Sequence, residues 1–336
     1  MSQKVSAPVP AATDILEVRH VSVSYQDNGL GIFGKRKEQE VLHDVSFSVH
    51  RDEFFGLVGE SGCGKSTLGR AILGLLPFSG TILVDGMAHK TAGREAFTRK
   101  IQAVFQDPMS ALDPRKTIGF TMEEPLKVHH MGDKAARRAA VSRMLEQVGL
   151  DASYASRTPE ELSGGQRQRV CIGAALLAEP ELVIADECVS ALDVSVGAQI
   201  LNLFREIDAA KDFAMLFISH NLSVVYYLCD RIGVMYRGRI VELGTADDIC
   251  LHPLHPYTKL LLHAIPDFSA KITGETDPKQ EAEFETPRED PPGACCFYHR
   301  CPHAGPSCLA QPALRTISGE HACACVLAGT GREETP

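Results

Sequence analysis

Eight consecutive residues, Gly59-Glu60-Ser61-Gly62-Cys63-Gly64-Lys65-Ser66, spell the phosphate-binding loop G-x-x-x-x-G-K-[ST]. No other feature of the chain limits its fold as strongly. Such a loop needs a buried strand before it and a helix after it, so that backbone N–H groups converge on an anion at the helix's positive end. The flanks fit. Phe54-Phe55-Gly56-Leu57-Val58-Gly59 is a short apolar run ending in glycine, and Leu68 to Leu76 has helical composition. Gly62 and Gly64 let the backbone pass close to phosphate. Lys65 is placed to reach the β- and γ-phosphates, and the Ser66 hydroxyl suits Mg²⁺.

A second stretch, Leu162-Ser163-Gly164-Gly165-Gln166, is hard to explain unless the nucleotide is gripped from two sides. Two further apolar runs read as buried strands. Leu182-Val183-Ile184-Ala185 ends in Asp186-Glu187, and Ala214 to Ile218 ends in Ser219-His220. Phosphoryl transfer needs chiefly positioning and charge neutralisation. One carboxylate near the metal (Asp186) and one to polarise the attacking water (Glu187) are a sensible minimum. His220 sits where a side chain could meet the γ-phosphate. Gln106, in Val104-Phe105-Gln106-Asp107-Pro108, has no chemistry of its own without these neighbours.

The rest of the chain organises around these motifs. Ile15 to Tyr25 and Val41 to Val49 alternate as strands, with a glycine-rich basic loop between them. Residues from about 91 to 160 are more polar, and Lys134 to Val148 looks like an amphipathic helix, so a helical subdomain inserted in the core is expected. Val234 to Tyr236 and Arg239 to Glu242 read as a hairpin around Arg237-Gly238. Residues 1–13 read as a disordered tail without the layout of a secretory signal. No apolar run reaches the ~18 residues needed to cross a bilayer. The net charge of −9 argues against a nucleic-acid partner.

In this order the motifs resemble the ATP-binding subunits of ABC transporters, over about residues 14–265. The resemblance implies an α/β fold: a P-loop NTPase ABC cassette with a RecA-like core, an antiparallel β subdomain and the inserted helical subdomain. It implies that Tyr25 stacks on adenine. Gly59, Ser61, Gly62, Cys63, Gly64, Lys65, Ser66 and Thr67 would surround the phosphates. Gln106 becomes the Q-loop glutamine, joining Ser66 and Asp186 around Mg²⁺, and Glu187 and His220 the catalytic glutamate and switch histidine. Ser190-Ala191-Leu192-Asp193 becomes the D-loop. In the family Ser163, Gly164, Gly165 and Gln166 act in trans on ATP held by a second subunit. Cys188-Val189 departs from the family's usual Pro-Thr after the glutamate, and the acids remain.

Within the family the chain is most similar to the second, F-type ATPase of peptide and nickel importers. Gly31 to Lys37, Gln106 to Arg115 and His255 to Leu261 carry that likeness. It implies a sister ATPase, two membrane permeases and a substrate-binding protein, with this subunit at the cytoplasmic face of the membrane, held there by the permeases. Peptide is the expected cargo, with nickel or another small solute as the alternative. An ABC ATPase acting on DNA or the ribosome is disfavoured by the short segment between Gln106 and Leu162 and by the single cassette.

After a polar, proline-bearing linker (266–292) comes a small Cys-rich C-terminal extension (293–336). Six of the eleven cysteines fall between Cys295 and Cys325. Cys295, Cys301, Cys308 and Cys325 match a C-terminal motif of this subgroup that can carry a [4Fe–4S] cluster. The same four thiolates could hold Zn²⁺. His299, His303 and His321 are possible substitutes, and Cys296 and Cys323 are surplus. A tail too small to bury a core would gain folding energy from such a metal.

Overall fold

The computed structural model describes residues 14–26, 38–88, 93–208, 213–265 and 291–329. The N-terminal tail, the Gly31 to Lys37 insertion, nearly all of the linker and residues 330–336 lie outside the described residues.

The strands form two sheets. One is antiparallel, with β1 (Asp14–Gln26) between β2 (Glu38–His50) and β4 (Ser79–Val84), and β5 (Met87–Ala88) at one edge. The other contains β3 (Phe54–Val58), β6 (Ile101–Val104), β7 (Leu182–Asp186), β8 (Ala214–Ser219), β9 (Arg231–Tyr236), β10 (Arg239–Thr245), β11 (Arg315–Ser318) and β12 (His321–Cys323). Its order is β11-β12-β10-β9-β3-β8-β7-β6. β9, β3, β8, β7 and β6 run parallel.

Parallel strands are covered on both faces, so they read as unbroken apolar runs. Phe54, Val58, Val183, Ala185, Met215 and Phe217 enter one core with the helical insertion. Phe55, Leu57, Leu182, Ile184, Leu216 and Ile218 enter a second core with the antiparallel sheet and the helix Lys65–Ile72. That helix is shorter than Leu68 to Leu76 implies. It starts directly at the phosphate loop and closes at Gly74, whose φ of 71° suits a left-handed helix end.

The insertion holds the helices Pro108–Ala111, Ile118–Val128 and Lys134–Gln147, started by the side chains of Asp107, Thr117 and Asp133, each accepting a backbone N–H. The range 91–160 needs one correction. It contains β6, which pairs with β7 in the parallel sheet, Ile101 opposite Leu182 and Val104 opposite Ala185. Only four residues long, with Lys100 before it and Gln106-Asp107 just beyond Phe105, β6 is hidden within a polar stretch.

The extension packs onto the cassette. β12 adds to the edge of β10, Glu242 facing Cys323, and Ala324 N–H donates to Val241 O at 2.8 Å. Cys295, Phe297 and Cys308 belong to the first core. The tail therefore shares the cassette's core, and a bound metal is not its sole source of folding energy. Fully buried Glu242 ties it down, accepting from Leu254 N–H (2.7 Å) and His255 N–H (3.0 Å) and pairing with His321 Nε2 (2.8 Å).

Candidate functional site

Strand order alone brings the polar motifs together. β6, β7, β8 and β3 lie side by side and parallel, and Gln106, Asp186-Glu187, Ser219-His220 and Gly59 all stand at or just beyond their carboxyl ends. That end of an open α/β sheet is where such folds bind ligands.

The phosphate loop leads into the helix Lys65–Ile72, with Gly64 as its N-cap at φ 110°. A Cβ there would also stand 2.7 Å from the Leu42 side chain, so glycine answers both the backbone and the packing. Lys65 is 3% exposed. Its Nζ donates to Gly59 O at 2.8 Å and Glu60 O at 3.0 Å, and lies 3.9 Å from Cys63 Sγ. No carboxylate pairs with it among the described residues. A buried ammonium held only by carbonyls and a sulfur suits an anion. Burial pushes the Cys63 thiol above its ordinary value, which disfavours the thiolate. Ser61 and Gly62 are exposed, while Ser66 and Thr67 are half-buried.

Ser66 Oγ donates to Asp186 Oδ1 at 2.9 Å. A hydroxyl and a carboxylate at one point form the hard-oxygen set that Mg²⁺ prefers. Desolvation raises Asp186 above the ordinary carboxylate value, against the opposing bond from Ser66. Next to it, Glu187 has a left-handed backbone, φ 48°. Its N–H donates to Ile218 O at 2.9 Å, and its carbonyl accepts from Ser190 Oγ at 2.8 Å. These bonds fix the turn that aims the side chain, whose Oε2 lies 3.5 Å from His220 Nδ1. Beneath it Cys188 is 1% exposed, and burial pushes its thiol up to about 12. The Cys-Val departure thus fills core space and adds no reactive group. Gln106 is exposed, two residues beyond Val104 of β6. Tyr25 is 40% exposed and faces Gln39 of β2, two residues before Val41, whose carbonyl borders Gly64.

The signature stretch opens the helix Gly164–Leu176. Ser163 and Gln166 form a reciprocal capping box, and Gln166 Nε2 also donates to Tyr154 Oη at 3.0 Å. A Cβ on Gly165 would come within 2.4 Å of Val196 Cγ1, so only glycine admits the helix Val194–Asp208 this close. Asp193 accepts from Val196 N–H at 2.9 Å and Ser195 Oγ at 2.7 Å. Among the described residues no hydrogen bond or ion pair joins Ser163, Gly164, Gly165 or Gln166 to the phosphate loop. The structure thus gathers Lys65, Ser66, Asp186, Glu187 and His220, and leaves the signature apart.

Cys295, Cys301, Cys308 and Cys325 line one narrow cavity, together with His255 and His303. Among the described residues, no three His, Cys, Asp or Glu side chains stand close enough to hold a metal ion.

One contact lay beyond sequence reasoning. The backbone N–H of Glu60, in a variable position of the phosphate loop, donates to Tyr257 Oη at 2.9 Å. The Glu60 carboxylate takes two bonds of 2.9 Å from Arg300, in the extension. No local signal links residues 240 positions apart.

The ABC transporter family matches residues 42–190, and the oligopeptide/dipeptide transporter C-terminal region matches 241–308. The oligopeptide transport ATP-binding protein AppF of Bacillus subtilis is 42% identical over 323 residues, 93% of this chain and 97% of that protein. OppF of the same organism is 45% identical over 258 residues, 75% of this chain and 82% of that one. An ATP-binding cassette solved as a dimer in a post-hydrolysis state with ADP and Pi superposes with a TM-score of 0.60 at 26% identity, covering 69% of this chain and 98% of its own. Both ranges thus match one lineage, and the chain belongs to the ATP-binding subunits of ABC transporters, in the branch bearing the oligopeptide/dipeptide transporter C-terminal region.

Proposed function

We propose that this chain is the ATP-hydrolysing subunit of an ABC importer for di- or oligopeptides. The observation that carries the ATPase reading is the bond from Ser66 to Asp186, with Glu187 held beside His220 one residue on. Lys65 neutralises the β- and γ-phosphates. Ser66 and Asp186, with Gln106, hold Mg²⁺, which when bound screens charge on the phosphate oxygens. Glu187 orients the attacking water and accepts its proton, and His220 senses the γ-phosphate. Tyr25 stacks on adenine. Ser163, Gly164, Gly165 and Gln166, with Asp193 nearby, meet ATP on a sister subunit. Their separation from the chain's own phosphate loop supports that arrangement.

The cargo reading rests on the relatives' names and on the C-terminal match. It brings two permeases, a sister ATPase and an extracytoplasmic binding protein, with this subunit at the cytoplasmic face. Among the described residues no helix is long and apolar enough to cross a membrane. The working cassette would be 14–265, with 293–336 an accessory segment. In the purified complex, peptide-loaded binding protein should raise the ATPase rate several-fold over unloaded protein. Stimulation by a nickel chelate instead would overturn the peptide cargo. A chain that co-purifies with no permease would overturn transport.

We further propose that Cys295, Cys301, Cys308 and Cys325 bind a [4Fe–4S] cluster or Zn²⁺. Their shared cavity supports this, as four thiolates suit either group once drawn together. Chain made anaerobically with both metals supplied should carry about four irons or about one zinc, lost in Cys308→Ser. Metal-free chain under those conditions would remove the proposal.

A further inference from the structure

The nucleotide site has a brace outside the cassette motifs. Glu60 is gripped at three points. Its N–H donates to Tyr257 Oη at 2.9 Å, its carbonyl accepts from Lys65 Nζ at 3.0 Å, and its carboxylate receives Arg300 in a two-pronged bond of 2.9 Å per arm. Arg300 itself is set by aromatic rings. It lies 5.6 Å from the Tyr236 ring centroid and 5.7 Å from that of Phe297. Tyr257 packs against both rings at 4.5 and 5.5 Å. The Arg300 side chain is 23% exposed and that of Glu60 41%, so the bridge adds little to overall stability. Its geometry matters more than its energy, because a paired fork fixes direction as well as distance.

We infer that Arg300 is a positioning residue for ATP binding, acting through Glu60 on the phosphate loop and on Lys65. Two effects run the same way. The bridge holds the peptide unit whose carbonyl orients the Lys65 ammonium. It also neutralises a carboxylate carried on a loop built for a polyanion, which would otherwise repel the phosphates. The C-terminal extension thus contributes to the nucleotide site of its own chain. The inference rests on the reading that this loop binds ATP.

The test measures ATP affinity and the ATPase constants of the transporter complex for wild type, Arg300→Ala, Arg300→Lys, Glu60→Gln and the double variant Glu60→Gln/Arg300→Ala. Arg300→Ala should raise Kd and KM for ATP roughly fivefold to tenfold, with kcat at saturating ATP within about twofold. Arg300→Lys, which keeps the charge but not the fork, should recover part of the affinity. In the Glu60→Gln background, Arg300→Ala should change KM less than about twofold, because its partner is already gone. Glu60→Gln removes the repelling charge together with the ion pair, so it should raise KM less than Arg300→Ala does, and an unfolded tail would instead show the same Arg300→Ala loss in both backgrounds. Equal Arg300→Ala effects in both backgrounds, an unchanged KM, or a fall in kcat alone would each overturn the inference. Failure of the wild-type chain to bind ATP would instead strike the reading beneath it.

Discussion

Glu187→Gln is expected to slow ATP turnover by a factor of about 10²–10⁴ while leaving ATP affinity within about twofold, the range that a positioned general base contributes. The substitution preserves size and shape. The features that aim the side chain are backbone ones, the left-handed φ of 48° and the bond to Ile218 O, and neither involves the carboxylate. Only the negative charge is removed, and with it proton acceptance from water. Lys65, Ser66 and Asp186 stay in place, so ATP should still bind and hold the subunit pair closed. Single-turnover hydrolysis and equilibrium ATP binding separate the two effects. Turnover near the wild-type rate would assign water activation to another group, with Asp186 and His220 as the neighbours to examine.

The second large effect is on stability. Glu242→Ala should lower the unfolding free energy by about 3–5 kcal/mol, as expected when a fully buried acceptor that serves three groups is removed. Glu242 is 0% exposed and serves three groups, Leu254 N–H, His255 N–H and the His321 ring. An alanine would leave all three without an acceptor, two of them at the entry to the helix Pro256–His263 that carries Tyr257. Glu242→Gln keeps an acceptor oxygen and should lose clearly less. Urea unfolding monitored by circular dichroism gives both values. A loss below about 1 kcal/mol for the alanine variant would mean that water reaches those groups.

What could be read from the sequence divides by distance along the chain. The phosphate loop, signature and paired acids are contiguous runs whose chemistry depends on immediate neighbours, and the apolar strands β3, β7 and β8 announce burial on both faces. β6 escaped because four residues, two of them Gln102 and Ala103, carry too little pattern. The left-handed turn at Glu187 was invisible, since nothing in a glutamate marks a positive φ. Glu60 and Arg300 meet only because the tail returns to the sheet, and Glu242 reads as an ordinary polar residue in a hairpin until the His321 ring reaches it. The tail's cysteines drew attention to metal chemistry, whereas its apolar and charged residues are what secure it to the cassette.

The docking of β12 on β10 also settles how this protein ends its largest sheet. β10 is a run of seven residues with five buried in succession, and left open it would offer unsatisfied backbone groups to any passing extended chain. β12 occupies that rim, and β11 becomes the new border. It is four residues long, largely exposed, and carries Arg315, Thr316 and Ser318, features that discourage strand addition by a neighbour. The tail is therefore a selvedge as well as a brace, closing this edge of the sheet against strand addition.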